Sequence, residues 1–195
     1  MACALRVASR RVFAFAVAAA LLVEGCATLE PRVGSVPVLP DAPFNAQGRL
    51  SARHGADAVS ANFQWKHSPP RDELSLSTPL GQTVAELSGD AAAHVARVRL
   101  ANGDGLQADD WPSLTARALG FPLPVTGLAS WIRGGAHPGS AYRAERDAAG
   151  RATLLRQDGW EIVFDYADET ATTPTRIRMT FPDVEVRIVI DALTM

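Results

Sequence analysis

The chain has 195 residues, two of them cysteine, with 47% hydrophobic and 21% charged residues and a formal net charge of −2. A near-neutral chain without a Lys/Arg-rich tract or an interleaved aromatic stripe lacks the basic footprint of a nucleic-acid binder. Two cysteines build no disulfide framework, so the fold must rest on a hydrophobic core, which one domain of this size can supply.

Arg6, Arg10 and Arg11 precede an apolar run from Val12 to Val23, and Gly25 stands directly before Cys26. A positive segment, a short apolar run, a small residue and then cysteine is the order of a bacterial lipoprotein signal. The apolar run falls short of the roughly 20 residues of a transmembrane helix, which suits a segment removed after export. Glu24 puts a carboxylate at the edge of the cleavage site. Residues 1–25 are therefore expected to be a signal peptide, with Cys26 the first mature residue and the site of lipid attachment. Loss of Arg6, Arg10, Arg11 and Glu24 leaves 16 Lys+Arg against 20 Asp+Glu in 170 residues, a net charge of −4. Cys3 leaves with the signal, so an acylated Cys26 has no disulfide partner.

Residues 26–43 follow as lipidated cysteine and tether: four prolines and no sustained periodicity predict an extended, flexible link. From Phe44 to the last residue, 195, the chain reads as one domain. Val59, Ala61, Phe63 and Trp65 alternate with Ser60, Asn62 and Gln64, which predicts a strand with one apolar face. Leu74 and Leu76 repeat the pattern, then Val84 and Ala85 to Leu87, then Ala96, Val98 and Leu100, as in an antiparallel meander.

The strands pause between Asp109 and Gly135. Asp109 and Asp110 are N-cap candidates, Pro112 suits a first turn, and Leu114, Ala118 and Leu119 recur at helical spacing before Gly120. After FPLP, Leu128, Trp131 and Ile132 share a face of a second helix that stops at a glycine pair. Alternation resumes over Tyr142–Arg146 and Ala152–Gln157, around the turn DAAG. Trp160, Ile162, Phe164 and Tyr166 follow, then Ile177 to Phe181 and Val184 to Ile190. About ten or eleven strands with two helices inserted midway predict a mainly β, α+β fold with a strongly curved antiparallel sheet. So many one-faced strands need cover: the sheet closes on itself, is plugged by the helices, or leaves room for an apolar ligand.

Catalytic chemistry is missing from this pattern. His54, His67, His94 and His137 are scattered without metal-ligand spacing and are expected at the surface, so neither a metal nor a cofactor is predicted. There is no GxSxG elbow, P-loop or GxGxxG, and the acidic pairs Asp109/Asp110 and Asp168/Glu169 fall in caps and loops. The chain is expected not to be an enzyme. What stands out is an apolar residue at a loop tip: in Ser77-Thr78-Pro79-Leu80-Gly81-Gln82-Thr83, Leu80 lies between a proline and a glycine and is placed either to project or to tuck over the core.

The segments GRLS (48–51), FQW (63–65), LSLSTPLGQT (74–83) and LGFPLPVTGLASWIRG (119–134), in this order across most of 44–191, resemble the LolB family of outer-membrane lipoprotein receptors. The resemblance implies a half-open antiparallel barrel around an apolar cavity with a helical lid. Leu114, Leu119, Leu128 and Trp131 would belong to the lid. Phe63, Trp65, Leu74, Leu76, Leu87, Trp160, Ile162 and Phe164 would line the acyl-chain cavity. It further implies a lipid anchor at Cys26 on the periplasmic face of the outer membrane, which Ala27 after the cysteine favours. The partners would be a LolA-type periplasmic carrier, lipoprotein acyl chains and outer-membrane lipid, handled by a monomer, with Pro79, Leu80 and Gly81 forming the membrane-insertion loop. The chain departs from the family pattern at Arg133-Gly134-Gly135-Ala136-His137-Pro138, where a more apolar stretch is expected, and in ending without a tryptophan. From the residues alone, a small lipid-binding lipoprotein or a structural outer-membrane assembly subunit stand as alternatives.

Overall fold

Period-two alternation becomes β2 (Phe44–His54), β3 (Asp57–Ser68), β4 (Arg71–Ser77), β5 (Thr83–Asp90), β6 (Val95–Leu100) and β7 (Gly105–Ala108) in the first half of the domain. The second half holds β8 (Tyr142–Arg146), β9 (Ala152–Gln157), β10 (Trp160–Asp165), β11 (Arg176–Phe181) and β12 (Val184–Thr194). Helices α1 (Trp111–Leu119) and α2 (Val125–Trp131) lie between β7 and β8, and a two-residue strand, β1 (Arg32–Val33), precedes them all. The computed structural model describes residues 32, 33 and 35–195; the expected signal peptide and Cys26 lie outside them.

Among the described residues all strands pair antiparallel in one 12-stranded sheet of order β1-β8-β9-β10-β11-β12-β2-β3-β4-β5-β6-β7. Two meanders, β8–β12 and β2–β7, thus meet at a single seam where β12 pairs with β2. The outermost strands, β1 and β7, do not pair with each other, so the sheet is curved and open. Register carries each apolar face across several strands: Phe63 pairs with Leu76, Leu76 with Ala85 and Ala85 with Leu100, while Trp65 leads through Leu74 and Leu87 to Val98. Residues directly opposite share a face, so these rows form the inner surface on which the helices pack.

Three sequence expectations need correction. Val59 has the inner-face parity predicted for it, yet it is 51% exposed, because β3 runs past the covered part of the sheet at that end. The buried face of α1 is Trp111, Leu114 and Thr115, with Ala118 exposed and Leu119 43% exposed; the stripe is set by spacings of three and four from Trp111, not by Leu119. Finally, the tether expected to run free to residue 43 is docked from its middle onward. β1 pairs with β8, Val36 is buried, and Val38 bridges Ala136.

Candidate functional site

Helix α1 begins where its sequence predicts. The Asp110 carboxylate accepts from Ser113 N at 2.7 Å, and the helix closes on Gly120 in the left-handed region at φ 85°. The Ser113 contacts hold the Asp110 carboxyl below its ordinary value of 3.8. The first turn docks at β5 through a close approach: a Cβ on Gly89 would lie 2.6 Å from the Trp111 indole, so only glycine lets the ring lie flat on the strand. At the far end of α1, Phe121 packs edge-on to His54, 5.7 Å between centroids, which places the helix C-terminus beside the β2–β3 hairpin. Helix α1 therefore crosses the inner face from the β5–β6 turn toward that hairpin.

Helix α2 is buried on nearly every side, including Val125, Gly127, Leu128, Ala129, Ser130 and Trp131. Trp131 directs its indole N–H to Gln157 Oε1 at 2.9 Å, and Gln157 in turn donates to the carbonyls of His137 and Ser140. These hydrogen bonds allow a fully buried tryptophan without an orphaned donor. Leu114, Leu128, Trp131, Phe63, Trp65, Trp160, Ile162 and Phe164 all belong to one buried cluster, with Leu74, Leu76 and Leu87 partly buried against it. Of the predicted lining and lid residues, Leu119 alone sits apart, on the solvent side of the last turn.

The inner face is not covered everywhere. At the end of the sheet carrying the β2–β3, β4–β5 and β6–β7 turns, toward which α1 runs, Val59, Leu100 and Leu106 remain exposed on inner-face positions. The 78–82 loop stands over this end. Thr78 N donates to Gln82 O at 2.9 Å, Gly81 N to Thr78 O at 2.9 Å, and Gln82 N to the Thr78 hydroxyl at 3.2 Å. This closed turn holds Leu80 outward at 91% exposure, with Pro79 and Gly81 also exposed, and Val84 follows as a further exposed apolar residue. Of the two placements the sequence leaves open for Leu80, the structure has it projecting.

The opposite face of the sheet is different in character. The outward side chains of β12, β2, β3, β4, β5 and β6 border an open groove of about 1010 Å³. Asn45, Gln47, Gln64, Lys66, Glu73 and Arg97 share its lining with Ala46, Trp65, Leu74 and Leu87, so this groove is mixed in character while the helix-covered face is apolar. Glu86 and Arg99 form an ion pair within it.

Of the four histidines expected at the surface, His94 is exposed, whereas the burial of His67 and His137 was missed by sequence reasoning. His67 is only 4% exposed and makes hydrogen bonds from both ring nitrogens, and His137 is half-buried with Nε2 2.6 Å from Asp158 Oδ2. The signal for His67 was present, because the alternation through Ala61, Phe63 and Trp65 reaches it two residues later. Among the described residues no group of His, Cys, Asp and Glu is arranged to hold a metal ion.

The family model for outer membrane lipoprotein LolB matches residues 42–192, from just before β2 to within two residues of the end of β12. An outer-membrane lipoprotein LolB from Chromobacterium violaceum is 40% identical over 177 residues, covering 89% of this chain and 93% of its own. Proteins of the same name from Azoarcus sp. and Cupriavidus necator are 35% and 34% identical, covering 96% and 95% of this chain and 97% and 98% of theirs. With the fold, the apolar open end and the projecting leucine in place, these matches show that the chain belongs to the LolB family of outer-membrane lipoproteins.

Proposed function

We propose that this chain is a receptor on the periplasmic face of the outer membrane, anchored through acylated Cys26. It accepts lipoproteins from a LolA-type periplasmic carrier and inserts them into the membrane. The observation that carries this reading is Leu80, held 91% exposed at an end of the sheet where the apolar inner face reaches solvent. Three acyl chains of about 45 CH₂ groups would lose roughly 36 kcal/mol if left bare in water, so their transfer needs an apolar path from carrier to membrane. Val59, Leu100, Leu106 and Leu119 offer the entrance. Leu114 and Trp131, both fully buried, occupy the interior that the chains would share, so loading requires α1 and α2 to give way.

No bond in the cargo is made or broken in this scheme. Direction comes from differential affinity, each acceptor holding the chains more tightly than the donor before it. Leu80 acts last, because an apolar tip enters the headgroup boundary where a charged one is repelled. The receptor works as a monomer.

The test is a soluble form beginning at Ala27, mixed with carrier loaded with a tagged lipoprotein, followed by separation of the two proteins. Cargo is expected on the receptor. Cargo that stays on the carrier while this domain is folded and monomeric overturns the reading.

A further inference from the structure

The segment Val36–Asp41 leaves the β8 edge and crosses to β2, and polar contacts hold it along its length. Tyr142 Oη donates to Val36 O at 2.9 Å, Leu39 N to Ala136 O at 2.8 Å, Ala136 N to Pro37 O at 3.0 Å, and Arg133 Nη2 to Pro40 O at 2.8 Å. Ser130 of α2 reaches Leu39 O at 3.5 Å, and Arg133 Nε returns to Ala129 O at 2.9 Å, so the segment and the C-terminal turn of α2 share one set of donors. Gly135 permits this closeness: a Cβ there would stand 2.5 Å from Leu39 Cγ and 2.7 Å from Pro37 O.

The segment ends on a part-buried ionic contact. His67 Nε2 lies 2.7 Å from Asp41 Oδ1, and its Nδ1 lies 2.7 Å from Asp72 Oδ1 on β4. That same Asp72 oxygen accepts the Trp65 indole N–H at 2.8 Å, which marks it as an acceptor. A ring facing a carboxylate oxygen on each side must donate from both nitrogens, as only the imidazolium does. Phe44 stacks on the ring at 4.9 Å and closes it from water. Behind Phe44 stands the buried Arg133, its guanidinium 5.9 Å from the Phe44 centroid. Asp41 from the segment, Asp72 from β4 and Arg133 from the turn after α2 are thus the charged groups around His67.

We propose that Val36–Asp41 is a proton-held strap over α2: the His67 imidazolium bridges Asp41 to Asp72, and loss of its proton frees the segment from the helix. A neutral ring keeps one N–H and must abandon one carboxylate. Asp41, whose side chain is 52% exposed, can turn to water, whereas Asp72 is buried and tied to Trp65.

Burial disfavours the charged ring more than any other single influence, yet the hydrogen bonds and charges of Asp72 and Asp41 together hold the His67 pKa above its ordinary 6.5. A raised value means that the strap is fully held below about pH 6.5 and is released as pH climbs through the higher value of the docked ring. Each tenfold gain in proton affinity on docking is a tenfold loss of docking once the proton has gone. The device rests on this geometry alone and stands whether or not the domain receives lipoproteins.

Amide hydrogen exchange on the full chain in detergent micelles, corrected for intrinsic rates, tests it between about pH 6 and about pH 9. Protection of Leu39 and Ala136 is expected to fall about tenfold or more across that range, while Ile162 in β10 is unchanged. Asp41→Asn, at a half-exposed site that does not threaten folding, is expected to show the low protection at every pH and a lower His67 pKa by histidine NMR. Protection that is level with pH, a fall shared by Ile162, or a His67 titration identical in Asp41→Asn overturns the proposal.

Discussion

Replacing Leu80 is expected to separate delivery of cargo from its acceptance. The side chain is 91% exposed, so neither Leu80→Ala nor Leu80→Glu removes packing. Folded stability is expected to change by no more than about 0.5 kcal/mol, read as an unshifted Tm. The inner-face entrance at Val59, Leu100 and Leu106 is also untouched, so acceptance of cargo from the carrier is expected at wild-type yield. Insertion is another matter. If the tip buries in the bilayer, the three carbons by which leucine exceeds alanine contribute about 2.4 kcal/mol, or roughly 50-fold in partition. Leu80→Glu loses the same apolar area and adds a charge that must stay in water, so its delivery falls further still. The order expected in vesicle flotation of tagged cargo is Leu80 and Leu80→Phe together, then Leu80→Ala, then Leu80→Glu. Acceptance falling in step with delivery would falsify the division of labour, and delivery indifferent to all three changes would remove the loop from the mechanism.

Leu114→Ala empties a fully buried site on the inner face of α1 and is expected to lower stability by about 2–5 kcal/mol, seen as a clearly reduced Tm in thermal unfolding. Gly89→Ala forces the Trp111 indole off β5; a loss of about 1–3 kcal/mol and a shifted tryptophan emission are expected, and an unchanged spectrum would mean that the ring does not pack there. Asp110→Ala removes the α1 cap, at about 1 kcal/mol in denaturant unfolding. Because its folded pKa lies below 3.8, the Asp110 contribution is complete above that pH and lost as pH falls through the lower folded value, so wild type and Asp110→Ala should converge in acid.

Strand existence was legible because alternation is a local property: β8 and β9 lie at their predicted bounds, and β10 and β11 within a residue of them. Cover was harder to read. Val59 and Leu106 have inner-face parity, but parity does not say how far along a strand the helices reach. The face of α1 was misjudged because Trp111 and Thr115, which set it with Leu114, are not aliphatic, and Thr115 is buried through its hydroxyl, which accepts from Leu123 N at 2.7 Å. The strap was invisible because proline-rich segments have no period. Its docking comes from backbone carbonyls and from partners such as Tyr142 and Arg133, about a hundred residues away. His67 was misplaced although the alternation reaches it, because a titratable side chain argues for the surface and the compensating charge of its register partner Asp72 is not written in His67 alone.

The seam between β12 and β2 sets the order in which the domain can be assembled. Within each meander a strand finds its partner a short loop away, and both can zip as they are made. The seam joins residues such as Thr194 and Asn45, 149 positions apart, and closes only when the last strand has been synthesised. Until then β2, eleven residues long, offers a bare edge to any other extended chain. Loss of β12 would make that exposure permanent and leave two half-sheets prone to pair with their neighbours instead of with each other.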